Sequence, residues 1–511
     1  MDRWQTYPVS FAGGLVSNMS SLAQGTQLPG TAQRLVNFEP AIDGGYRRIK
    51  GYTKYDPNVI PGTGDLRGIF YLNDAVYAVR GTHVYISGGN GWIQLTDNAT
   101  YNSTGITIGS GTSTVRFLPL NFDGNDTILI LDPSGKPLQY KGGQLTRLTS
   151  LPADASGATF VEVFKNHVFL ASGSTLLFSS PYSTTDATPA SGGGVINVTY
   201  NVTGLITFRD MLLVFTEKSI LQLTGSTVSD FALRPITDNL GCVHPDTIQE
   251  IGGDVIFLAP DGLRLVSGTE RNDDFGLAVV SRNIQKEMKT FIDNHSTFCS
   301  VVIPTKSQYR VFGVSNTPNS EGRGIIGVQT APQGGENMMW AETIGIKAAF
   351  AYSSYEDGDE KIVFLDTTDY AYAMESGNSF DSEDILAVYI TPHLPITDPS
   401  TRKTLYKLDV FTDPEGSFDL TIDTIIDYDV DTVIQPASKS IESNIGADEF
   451  SLYGLTVYGG GEYSNAVIND LFKINLEGSG KMFAFKFESE GTLPPVSLNA
   501  MSIQYAQNGR R

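Results

Sequence analysis

Residues 204–268 carry one strand–turn–strand unit twice over. In GLITFRDMLLVFTEKSILQLTG a polar Arg209-Asp210 turn precedes an apolar run at 211–215, and a second turn precedes an alternating run at 219–223. Gly252-Gly253-Asp254 then introduces 255–258 and 262–266 in the same way. Side chains alternate faces along a strand, so period-two runs between Gly and Asp turns are the sequence form of antiparallel strands. Recurrence at a fixed interval points to blades of a β-propeller.

The same unit is legible at 68–95, 115–148, 159–180, 299–343 and 348–376, which makes seven in all. Start-to-start spacing stays near about forty-five residues, the interval of a four-stranded blade. The expectation is an all-β chain with a six- or seven-bladed propeller over residues 66–380. Neither a WD nor a kelch signature is present, so spacing and alternation carry it. With 53 glycines in 511 residues and only 18% charged side chains, the composition is that of a turn-rich globular β protein.

Three segments break the repeat. Residues 1–65 read as an extended N-terminal arm, since Gly13-Gly14, Pro29-Gly30 and Gly44-Gly45 interrupt any period and apolar residues are scattered. On composition, removal of residues 1–33 should leave the propeller folded. SRNIQKEMKTFI at 281–292 puts Ile284, Met288, Phe291 and Ile292 on one helical face, with Ser281 as N-cap. After the acidic linker NSFDSED at 378–384, strands such as LYKLDVFTD and KMFAFKFESE suggest a separate C-terminal β-sandwich over 385–511.

The net charge of −21 argues against gripping nucleic acid by phosphate neutralisation. The densest basic cluster is Arg47, Arg48, Lys50 and Lys54, which reads either as a contact with an acidic partner or as a solvated turn. His83, His167, His244, His295 and His393 show no metal-ligand spacing. Asp427, Asp429 and Asp431 share a strand face, either solvated or holding a divalent ion. Asp210, Asp254 and Asp261 could serve a glycosidase, yet each falls in a turn that favours aspartate for its own sake. Neither a nucleophile elbow nor a phosphate-binding Walker loop is present, so no catalytic, cofactor or metal residue is assigned. Cys242 and Cys299 fit one disulfide or two buried free thiols, and cysteine's usual burial favours the thiols. The N-terminus lacks the apolar core of a secretory signal, so synthesis and folding in the cytoplasm are expected.

Three landmarks together resemble the tail nozzle proteins of short-tailed bacteriophages, a group also called tail tubular protein B or packaged-DNA stabilisation protein. They are RLVNFEPAIDGGYRRIKGYTKYD at 34–56, the 204–268 run, and SRNIQKEMKTF at 281–291. The likeness runs through most of residues 30–310, with Lys50-Gly51 where the family often has Pro-Gly. The resemblance implies a structural virion protein without enzymatic activity or cofactor. It would form a homohexamer in the virion tail, below the portal and adaptor, that helps retain packaged DNA and conducts the genome through its lumen without sequence-specific binding. The adaptor above, a tail fibre or spike, and a tail needle or plug are the implied partners, with no membrane insertion of its own. From the residues alone, a glycan-active propeller enzyme (glycosidase or lyase) and a propeller interaction module outside any virion stay open.

Overall fold

The computed structural model describes residues 4–96, 106–267, 279–314, 321–330, 338–356, 358–428, 434–443 and 471–508. The expected all-β class and propeller are found. Six small sheets stand as blades around one axis. In chain order they begin with the strands Leu66–Leu72, Phe117–Leu120, Phe160–Phe164, Val202–Phe208, Gln249–Ile251 and Phe350–Glu356. Between the last two, the strands Thr297–Ile303, Gln308–Val314, Arg323–Gln329 and Met338–Ile344 fill a further sector as one end of a nine-stranded sheet. We number these units blades 1 to 7 in chain order. Their first strands touch in succession, with the single turn Pro245–Thr247 making the contact from blade 5 to Val202–Phe208, and Phe350–Glu356 packs back onto Leu66–Leu72 to close the circle.

Period-two alternation explains the packing. In the second strand of blade 4, Met211–Thr216, Leu212 and Val214 join an apolar cluster with Phe169 and Leu176 of blade 3. Leu213 and Phe215 face the other way, against Val255 and Phe257 of blade 5. A strand sandwiched between two neighbours must be apolar on both faces, which is why the run is continuous rather than alternating with polar residues. Blade 1 repeats the arrangement, with Phe70 and Val79 toward blade 2 and Ile69 and Val76 toward blade 7. Four two-residue turns, at Asn73-Asp74, Gly142-Gly143, Lys165-Asn166 and Gly252-Gly253, have positive φ at both positions. That is the turn whose twist matches paired antiparallel strands.

The ring is closed by the N-terminal segment. Tyr52–Lys54 pairs antiparallel with Ala371–Met374 as the outermost strand of blade 7, and the chain then enters blade 1. The Tyr52 ring stacks on Phe380 at 5.1 Å and meets Phe364 and Tyr372 edge-on.

Residues 1–65 are largely extended, but they are packed, unlike the free arm expected from composition. Gln5–Ser10 pairs with Val496–Gln507, Arg34–Val36 lies between Met338–Ile344 and Ala387–Ile390, and Tyr46–Arg48 pairs with Phe38–Pro40 and the final strand. The C-terminal strands do form two facing layers. One is a seven-stranded sheet centred on Val496–Gln507 and Lys403–Pro414; the other is the far half of the nine-stranded sheet. That second sheet continues from blade 6 through Arg34–Val36, so the sandwich is joined to the propeller by backbone hydrogen bonds rather than separated by a linker. Phe11, Tyr46, Tyr389 and Phe487 fill its centre, with Tyr46 and Tyr389 rings 4.8 Å apart.

Asn37 carries the chain from one layer to the other in a left-handed conformation, φ 54°. Its amide donates to the Ile344 and Leu386 carbonyls, and its oxygen accepts from Thr343 Oγ1 and Ile344 N. Beside it, buried Glu39 accepts from Arg310 at 2.8 Å, Lys306 at 2.7 Å, Arg47 at 3.2 Å and Gln308 at 3.1 Å. Glu375, at the end of blade 7, pairs with the same Lys306 and Arg310 at 2.5 and 2.7 Å. The helical segment is a single turn at Arg282–Ile284 followed by the helix Gln285–Asn294, with Ile284, Met288 and Phe291 buried as expected. Ser281 does not cap it; its hydroxyl accepts from Leu263 N, which ties the helix to blade 5.

Two outcomes follow from this packing. Removing residues 1–33 strips Val9, Phe11, Leu15 and Ala32 from the core, and single large-to-small losses there cost about 3–5 kcal/mol each. Denaturant unfolding of the truncated chain should lose its single sharp transition, and an unchanged midpoint and slope would refute the packed arm. Burial opposes the charge of Glu375, but Arg310 and Lys306 outweigh it and hold the carboxyl down at about 2 against an ordinary 4.5. A depressed carboxylate stabilises the fold above its unfolded value and loses that contribution as pH falls toward the folded one. The urea midpoint should therefore drop between about pH 4.5 and 2. In Glu375→Gln it should start lower at neutral pH and drop less over that window; parallel curves would remove the assignment.

Candidate functional site

The four basic residues singled out in the sequence do not form one surface. Arg47 and Arg48 are consecutive on Tyr46–Arg48, so their side chains leave opposite faces of the strand. Burial works against the Arg47 guanidinium, yet Glu415 at 2.5 Å and Glu39 raise its pKa above the ordinary value. Arg48 is buried, donates to the carbonyls of Leu493, Ile385 and Gly491, and has its pKa lowered mainly by burial. Its work is to pin the 385–386 and 491–493 segments to the arm. Lys50 is half-buried, and Lys54 lies on the ring-closing strand, 3.3 Å from Asp381 and over the Tyr370 ring. Sequence reasoning missed Glu39. Its cross-strand pairing with Arg47 over the Gly44-Gly45 turn was the available signal.

Of the three clustered aspartates, Asp427 accepts from the backbone N–H groups of Lys481 and Met482, at 2.9 and 3.0 Å. Asp429 and Asp431 lie outside the described residues. Asp210 pairs with Lys165 at 2.9 Å, Asp254 accepts from Val255 N and Ser267 N, and Asp261 clamps Arg264. These three stand on separate hairpins and do not line the central cavity.

That cavity, about 230 Å³, is enclosed by the first strands and their approaches from all seven sectors. Arg116, entering blade 2, reaches Asp246 of the turn before blade 5 at 2.6 Å, while it donates to Thr159 O and lies over the Phe160 ring. The pair links blades that are not neighbours in the ring. Asp246 is the one carboxylate among the lining residues, and this guanidinium engages it. Ser300 Oγ donates to the Asp246 carbonyl and Gln249 Nε2 to the Ser300 carbonyl, so the polar lining is largely satisfied from within.

Cys299 also lines the cavity; it and Cys242 are buried free thiols. Burial pushes the Cys242 thiol up to about 12 and raises Cys299 as well, which suppresses the reactive thiolate. On the first strand of blade 3, just past the lining residue Val161, Glu162 is largely buried, and that burial lifts its carboxyl to about 7 despite hydrogen bonds from Val163 N and Thr207.

No protein-family model matches the chain, and no curated protein sequence does. Among solved structures it is similar to the computationally designed Ika8 protein, at 12% identity over 72% of this chain and 98% of that one, TM-score 0.37. It is also similar to the AfRom2 CNH domain, at 10% identity over 64% and 100%, TM-score 0.35. A third is PorZ, an essential bacterial surface component of the type-IX secretion system of Porphyromonas gingivalis, at 13% identity over 65% and 42%, TM-score 0.36. At such scores the likeness carries no inference about activity.

Glu162 gives this region a measurable pH dependence. Its folded pKa is raised from 4.5 to about 7, so the native state holds the proton more tightly than the unfolded chain. The contribution of this group is then greatest below about pH 4.5 and is lost as pH rises through 7, by on the order of 3 kcal/mol. Glu162→Gln should abolish that slope and raise the melting temperature at pH 8. A variant less stable than the parent at pH 8 would refute the buried-acid assignment.

Proposed function

We propose that this protein is a structural component of a short-tailed phage virion, the tail nozzle, acting as a hexameric ring beneath the portal and adaptor and without a catalytic step. The observation that carries the reading is where the three family-like landmarks fall in the fold. Residues 34–56 supply the strands that join the sandwich to blade 6 and close the ring at blade 7. Residues 204–268 span blades 4 and 5, and residues 281–291 hold the helix packed on blade 5. The likeness therefore falls on the strands and the helix that frame the fold, as it would for a scaffold.

Two further points support it. The propeller's own axis is crossed by the Arg116–Asp246 pair, so a polymer would pass between subunits rather than through one. A net charge of −21 suits a lumen along which DNA slides without sticking.

The test is the mass of the purified chain, alone and with its portal–adaptor complex, by native mass spectrometry. The expected result is a hexamer, or a monomer that adds six copies to the complex. A chain that stays monomeric and leaves the complex unchanged overturns the proposal and turns attention to glycan cleavage.

A further inference from the structure

Where the helix Gln285–Asn294 lies over the seam between blade 6 and Arg34–Val36 there is a cleft of about 340 Å³. Its floor is a sheet on which charged positions are set out by register. Glu342 stands opposite Ile325 on one side and beside Val36 on the other. Arg323 and Arg34 are each two residues from those partners, so both guanidiniums project from the same face as the carboxylate, diagonal to it. From the helix come Lys286 and Glu287, and His295 follows at its end.

The internal bonding of this cleft is incomplete. Among the described residues, neither Arg34, Arg323 nor Lys286 makes an ion pair within 4 Å, and the partly buried Glu342 side chain has no hydrogen bond. Glu287 accepts from Ser17 Oγ with one oxygen, and His295 Nδ1 meets the Phe291 carbonyl. Elsewhere the chain pairs such groups closely, as Glu39 and Glu375 do. Arg34, Arg323 and Lys286 face solvent, whereas Glu342 is partly buried with no hydrogen bond of its own, and a partly desolvated carboxylate in that state calls for a donor.

We propose that this cleft binds a sugar acid. Its carboxylate would lie between Arg34 and Arg323, where planar guanidiniums make paired hydrogen bonds to a planar anion. Its ring hydroxyls would donate to Glu342 and Glu287 and accept from Lys286. Inorganic phosphate satisfies the arginines but brings its charge against the two carboxylates with few hydroxyls to donate to them, and a neutral sugar leaves the arginines unmatched. A ligand with one anionic group and several hydroxyls answers both. The volume suits one or two sugar rings, and a junction between two packed units is a common place for such a site. The cleft lies within one chain, so it does not depend on the nozzle reading.

Titration calorimetry of the full chain at low ionic strength tests it, with digalacturonate as probe, maltose as its neutral counterpart and inorganic phosphate as the simple anion. Digalacturonate should bind and weaken as salt is added, maltose should give no heat, and phosphate should bind at least about tenfold more weakly. Arg34→Ala and Arg323→Ala are exposed changes, so both should keep the parent melting temperature while losing about tenfold or more in affinity. Lys289→Ala, exposed on the same helix outside the cleft, should change nothing. No heat with millimolar digalacturonate, equal binding of maltose or phosphate, or unaltered affinity in both arginine variants each overturns the proposal.

Discussion

Glu39 and Arg310 are almost wholly buried, and a buried charge is stable only when its partners replace the water it has lost. Glu39 has four donors around its two oxygens, and Arg310 shares its guanidinium between Glu39, Glu375 and Gln308. These groups come from the arm, from blade 6 and from the end of blade 7. The three pieces must therefore arrive in one register, because a shift of a single strand residue would strand a charge in an apolar setting. Hydrophobic burial alone would tolerate several placements of the short strand Phe38–Pro40. The ion network accepts one, and the positions of the ring-closing strand and of the sandwich seam follow from it.

Around most of the circle the blades are held by simpler means. Each contact between neighbours is a separate apolar layer, such as Phe169 and Leu176 against Leu212 and Val214, or Phe215 against Phe257. Layers of this kind are alike in strength and carry little information about where the ring begins or ends. That information enters with Tyr52–Lys54, which makes the last blade depend on residues that precede the first. From blade 5 onward the layers merge into one continuous core shared with the sandwich, so the propeller is anchored on that side and modular on the other.

What could be read from the sequence was whatever is local. Blade 4 is visible because its strands pair with their sequence neighbours and their period survives intact, and the helix stripe at Ile284, Met288 and Phe291 is visible for the same reason. The arm was not. Val9, Phe11, Leu35 and Phe38 are all buried, but the strands that hold Val9 and Leu35 find their partners hundreds of residues away, so no local window shows a period. The basic cluster misled for a related reason. Arg47 and Arg48 look like surface charge until Glu415 and the carbonyls near 491 are brought beside them. Ser281 had the right residue type for a cap, but a neighbouring strand claimed its hydroxyl first. The sugar-acid cleft was invisible for a third reason: its residues come from an arm, a helix and a blade that only the register of the sheet brings to one face.

The joint between propeller and sandwich bears on how such a chain can act. A linker would let the two units swing, whereas a shared sheet resists bending, because any hinge at Arg34–Val36 must break backbone hydrogen bonds on both sides of that strand at once. Asn37 and the Glu39 network lie within a few residues of the same point and add side-chain bonds to the backbone ones. Motion at this seam is then opposed by three kinds of contact that fail together, and load on one unit is passed to the other instead of being absorbed. In a ring built from such wedges, opening would have to come from subunits moving relative to one another. A gate in the proposed nozzle would accordingly belong to the flanks and the surface loops, since the body of each subunit offers no soft axis on which to turn.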